Sequence, residues 1–389
     1  MAESVLIYKW GAITEALLCS RLDENGYKYE EFAMQMKNYH ADAEFAMAFM
    51  QKIHSCKPGI VFSFDYFPLI SMICEINKIP YISWIYDCPM TTLYSQTIRN
   101  ACNFIFCFDK KQCEDIRQIG AQNCFHYPLA GDIRWFEQAL EKKATGQKYM
   151  CDISFIGNFY NGDKNRYRSA KIEPAIKEKL EQIIEEQLKC YGTYLIPDRL
   201  TEEMITEVAE QCELVLGPEY LVSAKTLVEN AIGMEVSARE REQVIRRIAA
   251  NWRIRLHTTS ALPGDVLMQN VDLKGYADYK TEVPYIFNKS KINLNISSKT
   301  ITSGIPQRVF DILSCGGFCL TNYQKEIAEY FVDGEELVMY RSMEDLENKI
   351  QYYLEHEEER EKIARQGQDA IKKRFLLYDC FVKMLKSFE

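Results

Sequence analysis

Residues Ser303–Glu326 read SGIPQRVFDILSCGGFCLTNYQKE, an order that predicts a tight turn, a short helix, a Gly-Gly break and a buried strand. Gly304 allows unusual backbone angles and Pro306 suits a first helical turn, so backbone N–H groups from about Gln307 onward are expected to project from a helix N-terminus. The partial positive charge at such an end favours an anion. This stretch therefore predicts a phosphate site.

The spacing of side chains in this helix predicts two faces. Val309, Ile312 and Leu313 recur at helical intervals and should face a core, whereas Arg308 and Asp311 should look out beside the anion site. An Arg can bind a diphosphate through paired hydrogen bonds, and a carboxylate can accept both hydroxyls of a ribose. The pair suits a nucleoside diphosphate; the alternative is an exposed ion pair of little consequence.

The composition predicts two domains and excludes some classes of partner. A chain of 389 residues exceeds the usual size of one hydrophobic core, and 47% of its residues are hydrophobic. With 47 basic and 56 acidic residues, a net charge of -9 and no Lys/Arg-rich block, nucleic acid is not an expected partner. No charged-then-apolar leader opens the chain and no apolar stretch approaches a membrane span, so neither secretion nor an integral membrane segment is expected.

Cysteine usage predicts a cytoplasmic protein. The 14 cysteines fall at irregular spacings with no Cys-x-x-Cys, and Cys74, Cys107 and Cys319 lie in apolar runs where they would pack as small hydrophobes. Such residues are typical of reduced thiols in a cytosol. No metal site is expected from this pattern.

The first half alternates short apolar strands with helical patterns, which predicts a doubly wound parallel sheet. Ligands of such sheets bind beyond the carboxyl ends of the strands. Three candidate general bases follow strands there, in the order Asp87, Asp65 and His126. The alternative for Asp87 is a cap of the turn next to Pro89.

The second domain should begin near Cys151, after a polar linker over residues 132–150. Its first predicted strand leads into a loop with Gly157 and Asn158 and then a cluster of cations in which Arg166 could hold a diphosphate. The alternative is that these cations are solvated at a helix start. A helical insert is predicted over about 173–252, where packing within the domain is the alternative to oligomerisation or acceptor contact.

The stretch from Gly275 to the C-terminus resembles the C-terminal domain of the spore-maturation CgeB-like glycosyltransferases. The resemblance rests on Arg308, Asp311, the Cys-Gly-Gly-Phe after the helix, Tyr340-Arg341 and the charged closing helices. The N-terminal segments GIVFSFDYFPLIS, NKIPYISWIYDCP, IFCFDKKQ and NCFHYPLAGD are similar to an uncharacterised domain that often precedes this module in bacterial proteins. Together the two similarities span nearly the whole chain.

This resemblance implies a GT-B fold, in which two Rossmann-like domains face a cleft. The implied division is an acceptor-side domain over 1–131, joined by a returning C-terminal helix over 376–389, and a nucleotide-sugar domain over 151–375. The resemblance also implies that Gly11 lies beside the donor phosphates, that Tyr276 borders the nucleobase, and that Arg166 matches a basic residue of the family. A buried structural role is the alternative for Tyr276, and a plain strand-to-helix turn is the alternative for Gly11.

The implied activity is transfer of a sugar from a nucleoside-diphosphate donor, such as a UDP-sugar, to a hydroxyl of a protein or surface glycan, with flagellin and surface polysaccharide as examples. Many retaining GT-B enzymes carry Glu-x7-Glu here. Aligned on Cys315-Gly316, Asp311 takes the ribose position, but Ser303 takes that of the first Glu, so the stereochemical class stays open. No metal or other cofactor is implied. An epimerase-like GT-B enzyme and a non-catalytic sugar-binding or scaffold protein are the alternatives.

Overall fold

The computed structural model describes residues 4–141, 146–264 and 268–386. The chain forms two compact units. Unit 1 contains residues 1–129, 216–222 and 377–389, and unit 2 contains residues 130–215 and 223–376. The predicted domain bounds stay a prediction, and part of the predicted linker (142–145) and the end of the predicted last helix (387–389) lie outside the described residues.

Unit 1 is built on a parallel six-stranded sheet in the order β2-β1-β3-β4-β5-β6. Its strands are β1 (Val5–Lys9), β2 (Tyr29–Ala33), β3 (Ile60–Phe64), β4 (Tyr81–Ile85), β5 (Asn103–Cys107) and β6 (Cys124–His126). Its helices are α1 (Ile13–Glu24), α2 (Ala43–Cys56), α3 (Pro68–Asn77), α4 (Lys110–Gln118) and, at the end of the chain, α16 (Leu377–Lys386). The strands β3 and β4 are buried along their whole length, as expected for apolar runs covered on both faces.

Unit 2 contains a second parallel six-stranded sheet in the order β12-β11-β10-β7-β8-β9. Its strands are β7 (Cys151–Ile156), β8 (Ile254–His257), β9 (Val271–Lys274), β10 (Ser290–Asn295), β11 (Cys319–Asn322) and β12 (Val338–Tyr340). Its helices are α5 (Ile133–Glu141), α6 (Arg166–Ser169), α7 (Pro174–Leu188), α8 (Ile196–Arg199), α9 (Glu202–Gln211), α10 (Ala224–Asn251), α11 (Val283–Lys289), α12 (Gln307–Ser314), α13 (Lys325–Tyr330), α14 (Met343–Glu355) and α15 (Glu357–Arg374). Among the described residues, no helix is both long and apolar enough to cross a membrane.

Two predicted helices differ in the structure. The pattern indicates separate helices over 224–232 and 237–252, but α10 runs without interruption through Gly233. A Cβ at Gly233 would lie 2.7 Å from the Tyr194 hydroxyl, so this glycine permits close packing rather than a break. The pattern also predicts a helix over 93–100, but the structure has two 3-10 turns there, Thr91–Tyr94 and Gln96–Arg99, because Ser95 is extended between them and its hydroxyl caps the second.

Residues 216–222 lie within the predicted helical insert but pack with unit 1. The Leu221 N–H donates to the Tyr94 carbonyl at 2.6 Å, and the Gln96 N–H donates to the Glu219 carbonyl at 2.9 Å. Backbone hydrogen bonds of this kind need no particular side chains. The apolar pattern of the insert therefore does not predict that residues 216–222 pair with unit 1. The insert therefore contributes chain to both units.

The last helix, α16, belongs to the core of unit 1. Phe381 is fully buried, with its ring centroid 4.9 Å from that of Phe62 on β3 in an edge-to-face contact. Such aromatic contacts add to the free energy gained from burying the ring. The helix therefore covers one face of the sheet.

We predict that Phe381→Ala lowers the free energy of unfolding by about 3–5 kcal/mol, because the substitution leaves a cavity against Phe62. Urea unfolding followed by tryptophan fluorescence and circular dichroism measures this loss. The matched control is Ile76→Ala on α3, where the side chain is 76% exposed and the change should stay within about 0.5 kcal/mol. Equal effects of the two substitutions would contradict the packing of α16.

Candidate functional site

The helix predicted from the opening motif begins at Gln307, with Pro306 at its N-cap. Pro306 has no side-chain group with which to cap the helix, so no side chain satisfies the first N–H groups of α12 in the usual way. The two earlier residues of the motif, Ser303 and Gly304, precede this end in the loop from β10. The start of α12 therefore keeps the properties of an anion site.

A cavity of about 210 Å³ lies beside this helix start within unit 2. It is lined by residues 155–158 at the end of β7, residues 294–298 at the end of β10, Tyr160, Arg241, Ile301, Pro306 and Arg308. Three predicted donor residues, Gly157, Asn158 and Arg308, are thereby brought together. This is the carboxyl edge of the sheet, where parallel sheets bind ligands.

The Arg308 guanidinium is the cation of this cavity. Its side chain is 28% exposed, yet its Nη1 is buried without a hydrogen-bond partner and lies 3.7 Å from an oxygen of Asp311. Its guanidinium carbon is 5.4 Å from the centre of the Phe287 ring, which holds the side chain by a cation–π contact. A buried donor without a partner is costly, so an anion that accepts from Arg308 would relieve that cost.

The position of Asp311 corrects one prediction. It does not look out beside Arg308 but is buried, with 2% exposure. Its Oδ1 accepts from the Tyr279 hydroxyl at 2.7 Å and from Gln307 Nε2 at 3.0 Å. Burial raises the pKa of this carboxyl, and the nearby Arg308 charge opposes that rise. Helical spacing predicts that Asp311 lies on the same side of α12 as Arg308, but it gives no information about Tyr279, which covers the carboxyl.

Two further donor candidates lie elsewhere in unit 2. The Arg166 guanidinium donates to the Glu213 carbonyl at 2.8 Å, so it satisfies the end of α9 and is absent from the described residues that line the cavity. Tyr276 is 71% exposed on the loop after β9, which contradicts a buried structural role. The sequence predicts Arg166 from a local cluster of cations and from the family resemblance, and Tyr276 from the resemblance alone; neither signal gives the direction of the side chain.

Arg241 is a residue of the cavity that sequence reasoning missed. It comes from the middle of α10 and is buried, with Nε and Nη2 donating to the Ile296 carbonyl and Nη1 donating to the Asn158 carbonyl. Its guanidinium carbon lies 4.3 Å from the centre of the Tyr160 ring. Arg241 thereby ties the loop after β7 to the end of β10 and adds a second positive charge to the cavity wall.

Two other cavities, of about 230 and 450 Å³, lie at the amino ends of β7 and β10. Some of their cations are paired with carboxylates: Lys148 lies 2.6 Å from both Glu357 and Glu361, and Arg255 lies 2.7 Å from Asp272. Neither cavity includes a predicted site residue. The smaller carboxyl-edge cavity is therefore the better candidate for chemistry.

In unit 1, the structure brings two of the three candidate bases together. Asp65 follows β3 and Asp87 follows β4, and the Asp65 Oδ1 accepts from the N–H groups of Tyr86 and Asp87 at 2.9 and 3.2 Å. Asp65 is buried and holds a left-handed backbone with φ of 61°. A strained, buried carboxyl beside a second one is typical of a functional site.

The two carboxyls differ in exposure and therefore in the role each can take. Burial, with the nearby Asp87 charge, raises the pKa of Asp65 to about 7. The Asp87 side chain is exposed, although the surrounding protein removes enough water to raise its pKa as well. Because Asp65 is committed to the backbone of the next loop, Asp87 is the carboxylate that an incoming hydroxyl can reach.

The other unit 1 candidates are placed differently. The Gly11 N–H donates to a Glu15 oxygen at 3.1 Å and the Trp10 N–H donates to the other Glu15 oxygen at 2.9 Å, so an internal carboxylate already occupies the start of α1. His126 lies on β6, two strands away from β4 in the sheet. The structure therefore does not bring His126 to the carboxyl pair.

We predict that the Asp65–Asp87 pair makes stability depend on pH. The unfolded pKa of an Asp is about 3.9 and the folded pKa of Asp65 is about 7, so its contribution is present below about pH 4 and is lost as pH rises to 7. Urea unfolding should show a fall of about 3 kcal/mol across this range, since each pKa unit is worth about 1.4 kcal/mol. Asp65→Asn should flatten that slope, because Asn keeps the acceptor oxygen and tolerates the left-handed backbone.

The exposed Glu114 on α4 offers the control, and Glu114→Gln should leave the slope unchanged. A slope that survives Asp65→Asn would assign the pH dependence to other groups.

Comparisons with known proteins bear on the family and on the fold. Residues 239–384 match a family model described as "Glycosyl transferase-like". A curated relative, an uncharacterised protein of Aquifex aeolicus, is 27% identical over 116 residues, which are 29% of this chain and 28% of that protein. The match thus spans less than a third of the relative's length.

Solved structures show the fold. HepE from Anabaena in complex with UDP and glucose gives a TM-score of 0.54 at 10% identity, covering 99% of this chain and 98% of that one. Sucrose-phosphate synthase from Thermosynechococcus elongatus gives a TM-score of 0.55 at 9% identity, with the same coverage. The predicted GT-B fold class is confirmed, and the family match over residues 239–384 supports a glycosyltransferase.

Proposed function

We propose that this chain transfers a sugar from a nucleoside-diphosphate donor to a hydroxyl acceptor. The observation that carries the proposal is the partly buried Arg308, which has an unpaired nitrogen and lines a cavity beside the uncapped start of α12. A diphosphate carries the charge and the acceptor oxygens that these groups lack. The solved HepE complexes contain UDP and UDP-glucose, which favours UDP as the nucleotide.

Charge stabilisation is the proposed mechanism. As the bond between the anomeric carbon and the diphosphate breaks, negative charge builds on the leaving phosphate. Arg308 and the α12 N–H groups are fixed before the reaction and would stabilise that charge more strongly than the charge of the ground state. In this proposal the protein cations and the helix end do what a metal does in other transferases, so no metal is required.

Asp87 is the proposed base. Its exposed carboxylate would take the proton of the acceptor hydroxyl while the anomeric carbon is attacked, and Asp65 would hold the loop that carries it. The identity of the acceptor as a protein or surface glycan is a further part of the proposal, and so is membership of the CgeB-like branch. None of the 14 cysteines, all of which lie in the described residues, forms a disulfide, which supports the proposed cytoplasmic location.

A ribose role for Asp311 also belongs to the proposal, with a condition set by the structure. Its Oδ1 is engaged by Tyr279 and Gln307, so a ribose hydroxyl must either displace one of these donors or use the second oxygen. The second oxygen faces Arg308 at 3.7 Å. Asp311 would then position Arg308 as well as contact the ribose.

The first experiment is calorimetric titration of the purified chain with UDP-, GDP- and dTDP-sugars without added metal. We expect one nucleotide class to bind and Arg308→Ala to weaken that binding about 10- to 100-fold, because a charge-assisted hydrogen bond is lost. Two arginines of the same unit serve as controls and should change affinity little: Arg166, whose guanidinium binds carbonyls at the end of α9, and the exposed Arg365 of α15.

The outcomes separate the alternatives. No binding to any nucleotide sugar by a folded protein would contradict the proposal and favour a sugar-binding scaffold. Conversion of the donor sugar to an isomer without any acceptor would indicate an epimerase. Unchanged affinity in Arg308→Ala would remove this residue from the site.

A separate prediction concerns turnover. Asp87→Asn should lower the rate of nucleotide release about 100- to 10,000-fold, since a positioned base contributes that much, while donor affinity changes less than about twofold. The assay follows nucleotide release from the preferred donor, with water and with a panel of hydroxyl acceptors. Exposed Glu114→Gln is the control, and an unaltered rate in Asp87→Asn would refute its role as base.

A further inference from the structure

Three cysteines that are far apart in the sequence meet inside unit 1. Cys107 ends β5, Cys113 lies on α4 and Cys124 begins β6, and all three side chains are buried. Their sulfur atoms all lie within 4.8 Å of one another. The Sγ atoms of Cys107 and Cys124 are 4.0 Å apart, and those of Cys113 and Cys124 are 2.7 Å apart.

Spacing alone does not require this cluster. The intervals between the three cysteines are unlike those of a zinc finger, and each residue fits an apolar position where a small hydrophobe would pack. Cys74, another buried cysteine of unit 1, packs in this way in the apolar core. Among the described residues, Cys74 belongs to no group of side chains that could hold a metal ion. The convergence of three sulfurs therefore needs its own explanation.

A thiophilic cation fits this arrangement. Zn²⁺ binds thiolate sulfur at about 2.3 Å, so two sulfurs of a tetrahedral site are separated by about 3.8 Å. The Cys107–Cys124 separation already has this size, whereas Cys113 and Cys124 would move apart by about 1 Å, a change that rotation of one side chain supplies. Three thiolate sulfurs within reach of one another form a ligand set that thiophilic cations prefer.

The surroundings balance the charge of such a site. Three thiolates and one Zn²⁺ carry a net charge of -1. Arg117 donates from Nε and Nη2 to the Cys124 carbonyl at 3.2 and 2.6 Å, which places one positive charge beside the site. His126 lies two residues after Cys124 on the same face of β6, but it is not part of the group of ligand atoms that lie within 4.8 Å of one another.

We propose that Cys107, Cys113 and Cys124 together bind a divalent cation of the Zn²⁺ class. The site is structural. It joins the ends of β5 and β6 to α4, and β6 is a three-residue edge strand that has little pairing of its own. The site also fixes the position of α4, which carries Gln112 next to Cys113. Gln112 Nε2 donates to the Asp87 carbonyl at 3.2 Å, and Gln112 Oε1 accepts from the Met90 N–H.

Metal analysis of the protein purified without a histidine tag tests the proposal. We expect about one zinc per chain by plasma mass spectrometry, and the absorption of tetrahedral thiolate-bound Co²⁺ when the metal-free chain is titrated with Co²⁺. Cys113→Ser should lose the metal and the spectrum. The matched control is Cys74→Ala, a buried cysteine of the same unit outside the cluster, which should keep both.

Three results would overturn the proposal. The first is a folded wild-type chain that gives no thiolate-to-cobalt absorption. The second is equal loss of metal from Cys74→Ala and Cys113→Ser. The third is a disulfide between Cys113 and Cys124 in protein isolated under thiol-blocking conditions, detected by peptide mass. The Co²⁺ titration of the wild type keeps the test valid if the Cys113→Ser chain does not fold.

Discussion

The parallel alignment of every strand is the constraint on which the candidate sites depend. In a parallel sheet each strand needs a crossover to return the chain, so all strands of a sheet end at one edge and the following helices begin there. The N–H groups of those helix starts and the carbonyls of those strand ends need partners. Polar and charged side chains therefore collect at the carboxyl edge, and Asp65, Asp87, Asn158 and Arg308 all lie at such an edge.

Two helix starts show how one constraint gives two outcomes. The first N–H groups of the turn into α1 donate to Glu15, a residue of the helix itself that is 2% exposed. The start of α12 has proline at its N-cap and a cation, Arg308, in its first turn. An internal anion satisfies the first start, whereas the second retains its attraction for an anion from outside the chain. Of these two helix starts, the second is the one assigned to the donor phosphates in the proposed function.

Sequence reasoning worked where local pattern decides the structure and failed where distant residues do. The strands β3, β4 and β7 are predictable because each is a continuous apolar run. The helix from Gln307 is predictable because proline and glycine mark its two ends. Arg241 reaches the cavity from α10, more than 80 residues after β7, and no spacing rule announces it. The cover of Asp311 by Tyr279 and the capture of Arg166 by the Glu213 carbonyl are tertiary contacts of the same kind.

The pairing of Arg308 with Asp311 explains how a cation can stay ready for a phosphate inside a protein. A guanidinium without a counter-ion at this depth would carry a large desolvation cost, and Asp311 at 3.7 Å offsets part of it without forming a close bidentate pair. An arriving diphosphate would bring new charge to Arg308 while Asp311 keeps its bonds to Tyr279 and Gln307. The phosphate and the Asp311 carboxylate would then both face Arg308 and would repel each other. Burial already raises the pKa of Asp311, and this repulsion would raise it further. Donor binding would therefore favour the protonated carboxyl. Under the proposed function, donor binding would in this way be coupled to protonation of the buried Asp311 carboxyl.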